Sequence, residues 1–164
     1  MRSGATDKKD TDRNSLRIIW IVIGVCVFIA VFMSHVFYLP IYHCVLGVYI
    51  GVVTLIVGIL LRYWAVLSLG RFFTVDVTIR EAHKLKTDGL YKYLRHPSYA
   101  ASLLSFIGMG ITLNNWFSFA LIAIGIISVF MYRIKIEEKV LAEHFGVEYE
   151  DYKKHTSAII PFLF

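Results

Sequence analysis

Four apolar stretches divide this chain, and the polar residues gather between only some of them. Ile18 to Tyr38, Ile41 to Leu61, Pro97 to Leu113 and Trp116 to Tyr132 contain no Lys, Arg, Asp or Glu. A bilayer core about 30 Å thick takes roughly 20 apolar residues as a helix, or about 17 at the short limit. Each stretch therefore predicts a transmembrane helix. The last two are short, which fits a locally thinned bilayer or a hairpin packed inside the bundle.

Between and beyond these stretches the pattern changes. Residues 1–14 lack apolar periodicity and read as disordered, so residues 1–17 form a cytoplasmic tail ahead of a single membrane domain over 18–164. Gly47 and Gly51 have the small-residue spacing that lets helices approach closely, with Gly58 two turns further on. Phe72 to Ile79 is β-branched and alternating, as in an extended segment or short hairpin, and Asp88-Gly89 marks a turn. Between two spans, such a segment would fold back on the membrane surface as a lid or wall. Pro97 suits the first turn of the third span. No breaker follows Tyr132, so the fourth span continues as a helix through Arg133 to Phe145 and stops at Gly146. Val147 to Thr156 then brings Tyr149 and Tyr152 back toward the site. The fold class is an all-α integral membrane protein of about four transmembrane helices. A cytoplasmic loop and the helical extension complete it.

Charge supplies an independent test. Of 17 Lys and Arg residues, 5 precede Ile18, 7 lie in 62–96 and 5 follow Tyr132, while the turns around Pro40 and Asn114-Asn115 carry none. The positive-inside rule places both termini and the middle segment in the cytoplasm. Net charge is +5, but the basic residues are dispersed beside apolar spans. Anionic lipid headgroups are their counterpart, and nucleic acid is not expected. Hydrophobic residues make up 57% of the chain and mean hydropathy is +0.64, too apolar for an ordinary soluble domain. Cys26 and Cys44 have no metal-ligand spacing, and no metal or disulfide framework is expected. No obligate protein partner is evident, and the compact size points to a prokaryotic plasma membrane.

Ionisable groups at the hydrocarbon boundary cost free energy and by default mark a site. The cytoplasmic side gathers His83, Tyr91, Arg95, His96, Tyr99, Arg133, Glu137, Glu138 and His144. There is no nucleophile elbow, no H-E-x-x-H and no Gly-rich phosphate loop. What remains is a site for charged or zwitterionic small molecules beside lipid. Each residue also has a plainer reading. Arg133 and Glu137 could form an i,i+4 ion pair, Arg95 a positive-inside anchor, and Tyr91, Tyr93 and Tyr99 interfacial aromatics. His83 and His144 read as solvated histidines, and Trp20, Trp64 and Trp116 as belt residues.

The ordered blocks Leu69-Gly70-Arg71-Phe72-Phe73-Thr74, His83-Lys84-Leu85-Lys86, Gly89-x-Tyr91-x-x-x-Arg95-His96-Pro97-Ser98-Tyr99 and Arg133-x-x-x-Glu137-Glu138-x-x-Leu141-x-x-x-Phe145-Gly146-x-x-Tyr149-x-x-Tyr152, with Pro161, closely resemble the isoprenylcysteine carboxyl methyltransferase family. The resemblance runs from about Leu69 to Pro161. Arg-His-Pro-x-Tyr alone is less specific, since membrane sterol reductases and phospholipid methyltransferases look similar there.

The resemblance implies a cytoplasm-facing pocket for S-adenosylmethionine, built from the loop and the last two spans. His83, Lys84, Leu85 and Lys86 would line the cofactor, Tyr91, His96, Pro97, Ser98 and Tyr99 would hold it, and Glu137 would bind its charged portion. Asp76 stands at a loosely matching position that would also touch cofactor. Arg133 would face the methyl acceptor, a lipidic or prenylated small molecule. A carboxylate acceptor is already ionised near pH 7 and needs no base, whereas an amine or phenol would need one, with His96 or His144 as candidates. The alternatives are another lipid N-, O- or S-methyltransferase, a sterol-reductase-like nicotinamide enzyme, and a non-catalytic membrane protein.

Overall fold

The computed structural model describes residues 3–70 and 85–160, with side chains described for 15–70 and 85–160. Among the described residues five α-helices follow one another: α1 Ser3–Val36, α2 Val45–Leu69, α3 Pro97–Thr112, α4 Trp116–Phe145 and α5 Val147–His155. A 3-10 turn, Gly89–Lys92, precedes α3. No strand occurs among the described residues, and Leu94 and Ser157 form an isolated parallel bridge. Within the bundle α2 packs on α3, α3 on α4, and α4 on α1, while α5 folds back on α4.

Among the described residues three helices are long and apolar enough to cross a membrane: Ser15–Val36 of α1, α2 and α4. Large apolar side chains face outward from them, Trp20, Phe28 and Ile59 among these, as lipid-facing surfaces require. The expected third span, α3, has 16 residues, a length of about 24 Å at 1.5 Å per residue. Pro97 fixes its start and Asn114, at φ 48°, breaks the chain just after it. It packs between α2 and α4 in the hairpin arrangement that its shortness suggests.

Three boundaries differ from the hydropathy reading. The second helix begins at Val45 rather than Ile41, because the backbone N–H groups of Ile41 and Tyr42 donate to the Asn114 side chain at 2.9 and 3.0 Å. It then runs past Leu61 to Leu69, so Arg62 lies within it and donates to the Ser98 carbonyl at 3.3 Å and to Ser102 Oγ. At its N-terminus, α1 reaches back to Ser3, over the segment whose composition reads as disordered. Extending an existing helix avoids the cost of nucleation, and no proline interrupts residues 5–17. Phe72 to Ile79 and Asp76 lie outside the described residues.

Lipid tails are as apolar as leucine, so close packing and interhelical hydrogen bonds must hold the helices together. A Cβ on Gly108 would collide with the Leu55 backbone nitrogen and lie 2.8 Å from the Gly51 carbonyl. One on Gly58 would lie 2.8 Å from the Ala101 carbonyl. The α2–α3 contact is therefore backbone against backbone. Gly51 takes part as its spacing suggests, but Gly47 instead lies under the Tyr42 ring. On the other flank, Ser118 Oγ donates to the Ala30 carbonyl at 2.6 Å, tying α4 to α1. Ile19, Ile122, Ile126, Val129, Phe130 and Ile134 fill the space between them.

The two turns free of basic residues meet at one end of the bundle. Asn114 Nδ2 donates to the Tyr42 carbonyl at 3.0 Å. Asn115 caps α4 by accepting from Ser118 N at 3.0 Å and donates to the Phe37 carbonyl at 2.6 Å. The charged helix ends lie at the opposite end, where the candidate site is built.

Candidate active site

Helix geometry sets the first contact of the site. Arg133 and Glu137 are one turn apart on α4, and Arg133 Nε donates to Glu137 Oε1 at 3.1 Å. α3 supplies the second, because Pro97 starts that helix and places Tyr99 on its first turn. Tyr99 Oη donates to the same oxygen at 2.6 Å, and its ring packs on Phe130 with centroids 5.2 Å apart. From α1, Ser15 Oγ accepts from Arg133 Nη1. Both Arg133 and Ser15 are 0% exposed. An arginine enclosed in an apolar bundle is expensive unless its donors are met, and here three helices converge to meet them.

His96, the residue before Pro97, lies between two carboxylates. Its Nδ1 is 3.5 Å from Glu137 Oε2 and its Nε2 is 3.5 Å from Glu138 Oε1. Both separations are within ion-pair range but long for hydrogen bonds, and Nε2, though buried, makes no well-aligned hydrogen bond. Glu138 is held from the other side by Arg95 Nε at 2.8 Å and Lys153 Nζ at 3.8 Å. Arg95 Nη1 also donates to the carbonyls of Lys153, at 3.2 Å, and Thr156.

The segment after α5 closes this side. Arg95 N donates to the Ser157 carbonyl at 2.8 Å, His96 N to the Ala158 carbonyl at 3.0 Å, and Ser157 N to the Tyr93 carbonyl at 3.2 Å. Tyr152 Oη donates to the Tyr91 carbonyl at 2.5 Å. Gly146, at φ 54°, ends α4 in the left-handed region that favours glycine and lets α5 turn back. Burial raises the phenol pKa values of Tyr91 and Tyr149 well above the ordinary tyrosine range and pushes Tyr152 up to about 12. These phenols stay neutral donors. Tyr149 Oη is buried with no hydrogen-bond partner among the described residues.

The structure thus brings His96, Tyr99, Arg133 and Glu137 into one cluster. Pro97 is buried at the start of α3, and Ser98 contributes its carbonyl to Arg62 and to Ser102 Oγ. Tyr91 reaches the Ala65 carbonyl at 3.4 Å on the neighbouring side. Leu85 lines an open groove of about 340 Å³ with Tyr152, Glu148 and Asp151. Lys86 is paired with Asp88 at 2.8 Å, and that hydrogen bond lowers the Asp88 pKa. His83 and Lys84 lie outside the described residues. Arg95, read as an anchor, is instead a partner of Glu138 and of the C-terminal carbonyls. His144 and Tyr93 are exposed, as their plainer readings hold. Sequence reasoning missed Ser15, which carries no motif. It also missed the Arg95–Glu138 pair, although both residues flank recognised ones.

The sequence model of the isoprenylcysteine carboxyl methyltransferase (ICMT) family matches residues 49–143. The match begins inside α2, earlier than Leu69, where the motifs first become legible. A probable protein-S-isoprenylcysteine O-methyltransferase of Oryza sativa subsp. indica is 35% identical over 117 residues, covering 70% of this chain and 61% of that protein. Protein-S-isoprenylcysteine O-methyltransferase B of Arabidopsis thaliana is 36% identical over 115 residues, covering 69% and 58%. The solved structure of the eukaryotic intramembrane Ras methyltransferase ICMT superposes with a TM-score of 0.72 at 29% identity, covering 87% of this chain and 52% of that one. The chain spans less than two thirds of the length of these relatives. With a family match over more than half its residues and the same helical arrangement in membrane-length helices, this chain belongs to the isoprenylcysteine carboxyl methyltransferase family.

Proposed function

We propose that this protein transfers a methyl group from S-adenosylmethionine to the carboxylate of an isoprenylcysteine-like acceptor at the membrane face. The observation that carries this reading is the cluster of Glu137, Tyr99, His96 and Arg133 within a chain of this family. The relatives' names support the reaction class, and none of them favours a phospholipid methyltransferase, a nicotinamide reductase or a non-catalytic role.

The residues fit the cofactor. The ligand is cationic and bears several hydrogen-bonding groups, while the site offers a partly accessible carboxylate, Glu137, and a buried hydroxyl, Tyr149 Oη, without a hydrogen-bond partner among the described residues. Leaving such a group unpaired costs about 1–3 kcal/mol, which a bound ligand would recover. Glu137 would hold the cationic portion, with His96 and Tyr99 beside it. Tyr91, Pro97 and Ser98 would form the adjoining wall, and His83 to Lys86 the loop side. When bound, the cofactor supplies an electrophilic methyl group on a sulfonium.

Arg133 would orient the acceptor carboxylate by paired hydrogen bonds. Because it is enclosed, the acceptor would reach it beside Ser15, between α1 and α4. An α-carboxylate has a pKa of about 3.5 and is already a nucleophile at neutral pH. The protein's task is then alignment and exclusion of water. The basic end of the bundle, which holds the site, would face the cytoplasm with both termini. The relatives compared are eukaryotic, so they lend no support to a prokaryotic plasma membrane.

Calorimetric binding of S-adenosylhomocysteine to the purified full chain tests the cofactor assignment. Saturable binding that Glu137→Gln weakens supports it. Absence of binding by a folded sample, with a nicotinamide cofactor binding instead, overturns it.

A further inference from the structure

We propose that Glu138, clamped by Arg95, is a positioning residue that holds His96 as its Nε2–H tautomer. This leaves Nδ1 as a second acceptor beside Glu137 for the ammonium group of a bound amino-acid ligand. The inference rests on the cofactor reading above and assigns a role to the second carboxylate, which that reading leaves unused.

The argument begins with adjacency. Glu137 and Glu138 follow one another on α4, about 100° apart around the helix, so they reach His96 from two directions. A neutral imidazole has one N–H and one bare nitrogen, yet each nitrogen faces a carboxylate oxygen at 3.5 Å. In the neutral ring one nitrogen therefore presents a lone pair to an oxygen. In a site of low dielectric that is unfavourable unless a donor lies between them.

The two sides differ in what could supply such a donor. Glu138 is fixed by Arg95 Nε at 2.8 Å on the same oxygen that faces His96, and Lys153 approaches its second oxygen at 3.8 Å. Nε2 is buried from solvent, so no ligand has a route to it, and the proton belongs there. On the other side Glu137 Oε1 is occupied by Tyr99 and Arg133. Its Oε2 and His96 Nδ1 then form a pair of acceptors close enough for one ammonium group to bridge.

Arg95 has a second use. Its Nη1 holds the carbonyls of Lys153 and Thr156, and the His96 backbone N–H donates to Ala158. Arg95 thus holds both the carboxylate that faces the His96 ring and the carbonyls of the segment whose Ala158 accepts from the His96 backbone.

The test combines a double-mutant cycle with spectroscopy on the full chain in nanodiscs. Glu138→Gln is expected to weaken S-adenosylhomocysteine binding about tenfold, the loss of one charge-assisted contact. In a His96→Ala background the same substitution should leave affinity unchanged, while its effect on thermal stability persists. Equal weakening in both backgrounds, or none in either, overturns the inference while leaving the cofactor reading intact. No binding by the wild-type chain overturns both. Where Glu138→Gln fails to fold, ¹⁵N spectra of histidine-labelled wild type decide, with the His96 signal assigned by its loss in His96→Ala. A protonated Nε2 with a bare Nδ1 is expected. A protonated Nδ1, alone or together with Nε2, refutes the proposal.

Discussion

Tyr99 on α3 donates its phenolic hydrogen to Glu137 on α4 across 2.6 Å, closing the seam between the two helices directly over the candidate cofactor carboxylate. A hydrogen bond to a charged group contributes about 1.5–3 kcal/mol. Tyr99→Phe is therefore expected to weaken S-adenosylhomocysteine binding about tenfold or more. Tyr93→Phe, on an exposed ring of the same segment, should leave affinity at the wild-type value in the same titration.

Glu137 and Arg133 share a hydrogen bond but are assigned different ligands. Glu137→Gln should raise the dissociation constant for S-adenosylhomocysteine. Arg133→Lys, which keeps the buried charge but loses the planar fork, should mainly lower turnover. Binding and initial-rate measurements on both variants decide. Equal loss of cofactor affinity in the two variants contradicts the division of roles.

Much of this arrangement was legible because local rules were strong there. The run from Arg133 to Phe145 has no breaker before Gly146, and the helix ends where that glycine takes a positive φ. The start of α3 followed from Pro97 in the same way. The start of α2 did not, because Ile41 and Tyr42 are removed from the helix by Asn114, a partner more than 70 residues distant. Hydropathy has no information about such a contact. The enclosure of Arg133 by Ser15 was hidden for the same reason, since the two are 118 positions apart in the chain. Arg95 was misread because its position beside a span matches a membrane anchor, and only the return of the chain after α5 reveals its partners.

Two glycines at different helix contacts, Gly108 between α2 and α3 and Gly125 between α1 and α4, make a contrast. A methyl group at Gly108 meets backbone atoms of Leu55 and Gly51, which cannot move without separating the helices. Gly108→Ala should therefore destabilise the protein by about 1–3 kcal/mol. At Gly125 the nearest obstacle is the Cys26 side chain, which can rotate away, so Gly125→Ala should cost less. Thermal melts of the two variants in one detergent test the order.

The neutral phenols give the fold an alkaline limit. Tyr152 is raised by burial from about 10 in an unfolded chain to about 12, so the folded state keeps its proton where the unfolded state loses it. That contribution is fully present below about pH 10 and is lost as pH rises through about 12. Tyrosinate absorbance should show a late-titrating group that disappears in Tyr152→Phe. A Tyr152 signal complete by pH 10 would refute the burial argument.

The most direct test is methyl transfer itself. Purified full-length protein in liposomes would be given S-adenosylmethionine with a labelled methyl group and an S-prenylated cysteine carrying a free carboxylate. The proposed reaction yields label in the lipid-soluble product that alkali releases as methanol, as expected of an ester, and Glu137→Gln sharply reduces it. Label that survives alkali, or no transfer by a folded sample that binds S-adenosylhomocysteine, would contradict carboxylate methylation.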